Sequence, residues 1–322
     1  MEISKVKLTE YNVPWIEQRA DPYVCKREGW YYFTASVPEY DRIILRRASS
    51  LRDLQTAKEH VIWTKHKDGI MSEHIWAPEL HYIDGKWYIY FAAGEKENVW
   101  DIRPYVLECS GQDPIDDPWI ELGKMQRAKE DVFSFEAFSL DGTVFENKGE
   151  KFFVWAEKVG VGKQISNLYI AKMETPNKLK TVQVLLTTPD YDWERVNFWV
   201  NEGPAVVKRN GTIYLTFSAS STGACYCVGL LTADENTDLL DPGSWKKERY
   251  PVLTSDSQKG IYGPGHNCFT QSEDGKDLMI YHARQYPEIE GDPLYDPNRH
   301  AMIMEIEWNE DGTPIFEYKN QK

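Results

Sequence analysis

Three observations on this 322-residue chain predict an all-β repeat fold, a five-bladed β-propeller. A pair of apolar runs rich in β-branched and aromatic residues, joined by a short turn, is written five times. The copies start 56, 64, 62 and 62 residues apart, and together they fill the chain. Hairpin-containing repeats of this size, roughly 40–50 residues or somewhat more, are the signature of propeller blades.

Residues 1–20 lead into the repeats and are expected to pack against the last unit and close the ring. The first copy, D-P-Y-V-C-K-R-E-G-W-Y-Y-F-T-A-S, begins at Asp21, and I-I-L-R-R-A reads as its third strand. The second begins at Ala77, inside H-I-W-A-P-E-L, and is followed by a loop from Gln112 to Trp119 with two Asp-Pro steps. The third begins at Asp141 and continues into the alternating strand N-L-Y-I-A-K-M. The fourth, from Gly203, turns at Asn210-Gly211, a strong hairpin signal. A polar connection, T-A-D-E-N-T-D-L-L-D-P-G-S-W, with room for a short helix, leads to the fifth copy at Gly265, whose turn is two residues longer. A long loop from Glu288 to Arg299 precedes the last strand, M-I-M-E-I-E-W. In the first four copies the turn glycine (Gly29, Gly85, Gly149, Gly211) falls eight positions after the start. A repeat fold overrides the two-domain expectation that length alone suggests, so residues 1–322 read as a single domain.

A hydrophobic content of 41% supplies a core, and the many Tyr, Trp and Phe suit half-buried strands. A net charge of −14 argues against nucleic acid, which demands a basic surface. No run approaches the roughly 18 apolar residues of a membrane span. The N-terminal M-E-I-S-K-V-K-L-T-E-Y lacks the apolar segment of a secretory signal. Five cysteines (Cys25, Cys109, Cys225, Cys227, Cys268) without a C-x-x-C pair read as free thiols of a reducing compartment. These two features predict a cytoplasmic protein.

In a propeller the first strand of each blade lines the central channel, so the starts of the copies converge around the axis. Asp21, Trp76-Ala77, Asp141, Glu202-Gly203 and Pro264-Gly265-His266 are thereby gathered on one face. Glu202 stands one place before its aligned start and needs a bulge to point inward. Each acid alone also reads as a turn cap beside Gly or Pro. Three acids at one repeat position point instead to glycosidic chemistry, in which a protonated carboxyl gives its proton to the leaving oxygen and an ionised one takes a proton from water. Trp76 is placed to stack on a sugar face, with Phe138 and Trp199 walling the same pocket. Arg284 ends a second strand that runs back to this face, where it reads as a hydroxyl-binding donor.

The set A-D-P-Y, W-A-P-E-L at 76–80, S-L-D-G-T at 139–143, N-E-G-P at 201–204 and Y-G-P-G-H-N at 262–267 resembles glycoside hydrolase family 43, particularly its single-domain α-L-arabinofuranosidases. The resemblance spans nearly the whole chain. It implies a five-bladed propeller and an inverting mechanism, with Asp21 as general base, Asp141 as the acid that tunes and orients, and Glu202 as general acid. It also implies that His266 reaches an ion in the central channel, often calcium, through water, and that no organic cofactor is used. Within the family, the short chain and the expected cytoplasmic location favour arabinose-containing oligosaccharides attacked from one end. A β-xylosidase, another family activity, and a non-catalytic sugar- or protein-binding propeller stand as the alternatives.

Overall fold

Four of the five hairpins turn on paired left-handed residues: Glu28-Gly29, Asp84-Gly85, Lys148-Gly149 and Asn210-Gly211 all have φ near +50° followed by φ near +80°. Two positive φ values in succession define the type I′ turn, whose twist matches that of the strands it joins, and glycine takes the second at little cost. The local sequence thus sets four hairpin registers before any long-range contact forms.

A computed structural model describes residues 12–159 and 164–319, and within them the fold is all-β. The first unit contains β1 (Ala20–Arg27), β2 (Trp30–Ser36), β3 (Arg42–Ala48) and β4 (His60–Thr64). The second contains β5 (Glu73–Ile83), β6 (Lys86–Glu95), β7 (Asn98–Cys109) and β8 (Ile120–Lys124). In the third, β9 (Ser139–Asn147), β10 (Glu150–Val159) and β11 (Ile165–Thr175) carry the short β12 (Lys178–Leu179) and β13 (Val184–Thr187) at one side. The fourth comprises β14 (Trp199–Arg209), β15 (Thr212–Ala219), β16 (Cys227–Asp234) and β17 (Lys246–Lys247). The fifth comprises β18 (Tyr262–Gln271), β19 (Asp277–Arg284) and β20 (His300–Glu305), followed by the small pair β21 (Glu307–Trp308) and β22 (Pro314–Ile315).

Each unit is an antiparallel meander in sequence order. Units three and four are bridged by a short parallel contact, Ile165 to Trp199 and Ser166 to Val200, so that they form one sheet; among the described residues no sheet closes on itself. The connection between β16 and the fifth unit holds a one-turn 3₁₀ helix, Pro242–Ser244, capped by Asp241. Among the described residues no helix is long and apolar enough to cross a membrane.

The sheets are buried on both faces, and the period of two in each second strand divides its side chains between the two neighbours. Tyr32, Ile43 and Leu45 of unit one meet Trp87, Ile89 and Phe91 of unit two. The other face of β6, Tyr88 and Tyr90, meets Phe153 and Trp155 of unit three. From β10 the alternate residues Phe152 and Val154 meet Ile213, Leu215 and Phe217 of unit four. Val228 of unit four packs with Met279 and Tyr281 of unit five. The remaining face of β19, Leu278 and Ile280, returns to Tyr31 and Phe33 of unit one. Ile16 bridges Ala301 of β20, which ties residues 12–20 to the last unit; residues 1–11, the rest of the predicted closing segment, lie outside the described residues.

Candidate active site

The same backbone feature recurs in the first strand of every unit. Asp21, Ala77, Asp141, Gly203 and His266 have φ of 51°, 47°, 55°, 54° and 44°. At each, the pairing with the second strand slips: between Ala20 and Tyr23, Trp76 and Glu79, Glu202 and Ala205, Gly265 and Cys268, and opposite Val154–Ala156 in the third unit. A bulge with one residue in the left-handed region re-aims its side chain, and Asp and Gly tolerate that region better than most residues. The sequence alignment starts the fifth copy at Gly265, but the backbone puts His266 in the equivalent place. β18, like β5, carries two irregularities in its pairing with the second strand. At Gly203 a Cβ would lie 3.2 Å from His266 Cγ, so a side chain there would press on that histidine.

These strands open onto a cavity of about 410 Å3, within the roughly 300–1,000 Å3 of small-ligand sites. Asp21, Trp76, Phe138, Asp141, Trp199, Glu202 and His266 all line it. The structure thus brings together seven of the eight residues singled out in the sequence.

Asp21 is almost fully buried. Oδ2 accepts a hydrogen bond from Ser36 Oγ at 2.6 Å, and Oδ1 lies 3.3 Å from His266 Nδ1 and 3.4 Å from Arg299 Nη1. Burial alone would raise its pKa, but the His266 and Arg299 charges outweigh this and hold the carboxyl well below the usual range. His282 Nδ1 is 3.2 Å from both the Asp21 amide nitrogen and Oδ1, and one nitrogen cannot accept from the first and donate to the second. The amide hydrogen is fixed by the backbone and points at Nδ1, while Nε2 is buried and meets no polar partner. The ring is neutral, since burial pulls its pKa down to about 3. His266 behaves oppositely: burial disfavours its charge, but Asp141, Asp21 and Glu202 together raise its pKa and favour the imidazolium.

Asp141 and Glu202 form a coupled pair. Burial raises Asp141 to about 7; His266 opposes, while the Glu202 and Asp21 carboxylates push the same way. Its Oδ2 accepts from the Gly203 amide at 3.0 Å and stands 3.8 Å from His266 Nδ1. Glu202 is also raised, first by burial, against the hydrogen bond that Tyr226 Oη donates to Oε1 at 2.8 Å. Two raised acids beside one depressed acid give a site that holds a proton and a carboxylate at the same pH.

Trp76 is walled in by His74 at 4.5 Å, stacked, and by Tyr40 at 5.8 Å, edge-on. Arg195 lies over Trp199, 4.6 Å from a ring centroid. Arg284 does not reach the cavity. Its guanidinium is buried and spent on the Thr222 carbonyl (2.7 Å), the Pro293 carbonyl (2.7 Å) and Asp296 (3.3 Å), so the predicted hydroxyl donor is instead a fastener for the loop that carries Asp292 and Leu294 to the cavity wall. The arginine that does line the cavity is Arg299, from the end of that loop, where no local signal marks it. Tyr226, Lys158 and Trp100 are further wall residues missed in the sequence. Lys158 sits near the end of a second strand, as Arg284 does, and the same positional argument would have found it.

Calcium takes six to eight oxygen ligands. The ring nitrogen of His266 that faces the carboxylates is occupied by Asp21 and Asp141, and among the described residues no three His, Cys, Asp or Glu side chains are grouped to hold a metal. These residues offer no direct ligand set for calcium; the ion expected above is one that His266 reaches through water.

With the geometry in view, comparison with known proteins is informative. The pattern of the family described as "Glycosyl hydrolases family 43" matches residues 11–314. "Extracellular exo-alpha-(1->5)-L-arabinofuranosidase" of Streptomyces avermitilis is 48% identical over 94% of this chain and 62% of its own length. The protein of the same name from Streptomyces chartreusis is 50% identical over 88% of this chain and 85% of its own. The crystal structure of an α-L-arabinofuranosidase from Lactobacillus brevis superposes with a TM-score of 0.90 at 50% identity, covering 97% of this chain and 98% of that one. The chain therefore spans less than two thirds of the S. avermitilis protein. Two of these relatives are named extracellular, which overturns the cytoplasmic expectation. The cysteines were a poor guide because burial, whatever the compartment, favours the protonated thiol at four of them: it pushes Cys25 and Cys227 up to about 12 and raises Cys109 and Cys268 as well.

Proposed function

The chain belongs to glycosyl hydrolases family 43, and on that premise we propose that it is an inverting, exo-acting α-L-arabinofuranosidase that releases arabinose from α-(1→5)-linked arabino-oligosaccharides. The fold is read as a five-bladed propeller acting as one domain, supported by the five bulged first strands and the five interfaces between units. The observation that carries the functional reading is the division of labour among three acids in one cavity: Asp21 held ionised, Asp141 and Glu202 held toward protonation.

Asp21 is then the general base. It takes a proton from water as the water oxygen forms its bond to the anomeric carbon. Glu202 gives its proton to the departing glycosidic oxygen as the bond from that oxygen to the anomeric carbon breaks. Asp141, itself raised by burial and by the Glu202 carboxylate, accepts the Gly203 amide and so fixes the backbone beside the acid. Trp76, Phe138 and Trp199 supply the apolar walls for the sugar ring, and the loop bearing Asp292 and Leu294 closes one side, as an exo-acting pocket requires.

The test is NMR of the first sugar released from 1,5-α-L-arabinobiose. Release of the β-anomer is the expected result. Initial α-anomer would refute inversion, and turnover of a β-D-xyloside but no arabinoside would refute the substrate.

A further inference from the structure

Lys158, near the end of β10, lines the cavity with Phe138, Trp199 and Glu202. Its ammonium stands 3.9 Å from the Phe138 ring centroid and, among the described residues, has no hydrogen-bond or ion-pair partner. It lines the same cavity as Glu202, whose carboxylate opposes the lowering of the lysine's pKa by burial. An ammonium has three donors, and an aromatic face satisfies them only in part. Water in the cavity supplies the remaining acceptors, and a ligand hydroxyl entering the cavity can take their place.

We propose that Lys158 binds a hydroxyl of the leaving sugar, the residue on the far side of the scissile bond, and so selects sugar over simple leaving groups. The inference rests on the glycosidase reading, in which Glu202 protonates the glycosidic oxygen; a cation beside that acid is beside the departing residue. Phe198, 64% exposed at the same wall, adds an apolar surface for it.

The experiment compares wild type, Lys158→Met and Lys158→Arg on 1,5-α-L-arabinobiose and on methyl α-L-arabinofuranoside. Both leaving groups are poor and need the acid, but only the first carries hydroxyls. For Lys158→Met, kcat/KM on arabinobiose is expected to fall about 10- to 100-fold, chiefly through KM, as loss of a charge-assisted hydrogen bond predicts. On the methyl glycoside the loss should stay below about threefold, and Lys158→Arg should recover most of the arabinobiose activity. Equal losses on the two substrates would overturn the proposal and assign Lys158 to tuning Glu202 or to structure. Absence of wild-type turnover on both would overturn it together with the reading beneath it.

Discussion

Tyr226→Phe isolates one hydrogen bond of the proton-donating acid. The Tyr226 ring is stacked on His282, with centroids 5.5 Å apart and planes 9° apart, and Gly265 passes so close that a Cβ there would lie 2.3 Å from Cε1. A phenylalanine therefore occupies the same space, and only the 2.8 Å bond to Glu202 Oε1 is lost. A hydrogen bond to a charged acceptor is worth about 1.5–3 kcal/mol, or about one to two pKa units. Glu202 is partly exposed, so water replaces part of the interaction and about one unit remains. The bond favours the ionised acid, so losing it raises the pKa. The acid stays protonated to higher pH, and the basic limb of kcat/KM moves up by about one unit. That limb belongs to the Asp141–Glu202 pair together. The acidic limb, set by Asp21, stays in place. The assay is the pH profile of kcat/KM on methyl α-L-arabinofuranoside, whose leaving group cannot depart without a proton. A basic limb that is unmoved, or moves to lower pH, would show that Tyr226 does not tune the acid.

Asp141→Asn should shift the same limb the other way, because removing a carboxylate lets Glu202 ionise more readily; a uniform loss with both limbs in place would reduce Asp141 to a positioning group. Asp21→Asn should lower kcat by about 100- to 10,000-fold on every substrate and, by leaving the buried Arg299 without its counter-charge, cost about 3–5 kcal/mol of stability. Because the folded pKa of Asp21 is depressed, its contribution is fully present above the unfolded value of about 3.9 and is lost as pH falls through the folded value. Urea unfolding of both proteins across acidic pH should therefore give a stability difference that narrows only below about pH 4; a difference independent of pH would contradict the ionised assignment.

What the sequence determined by itself was whatever depends on neighbours along the chain. Paired turn residues such as Asn210-Gly211 set the hairpins, apolar runs of period two set the strands, and the spacing of the copies placed Asp21, Asp141 and Glu202 together. The bulge demanded by Glu202 was also legible, because an acid beside a glycine one place out of phase needs one, and it proved to recur in every unit. The tertiary structure decided how charges are paired. Sequence position favoured Arg284 over Arg299, yet the loop between them folds back so that Arg284 ties down the Thr222 and Pro293 carbonyls while Arg299 reaches Asp21. His266 was placed in the site by its copy start and His282 was not, but only the fold shows that His266 faces the carboxylates and favours charge, while His282 accepts a backbone amide in a buried slot and stays neutral. Such outcomes follow from distances between residues hundreds of positions apart. A proton's preference is set by burial and by the charges within a few ångströms, and neither is carried by local pattern.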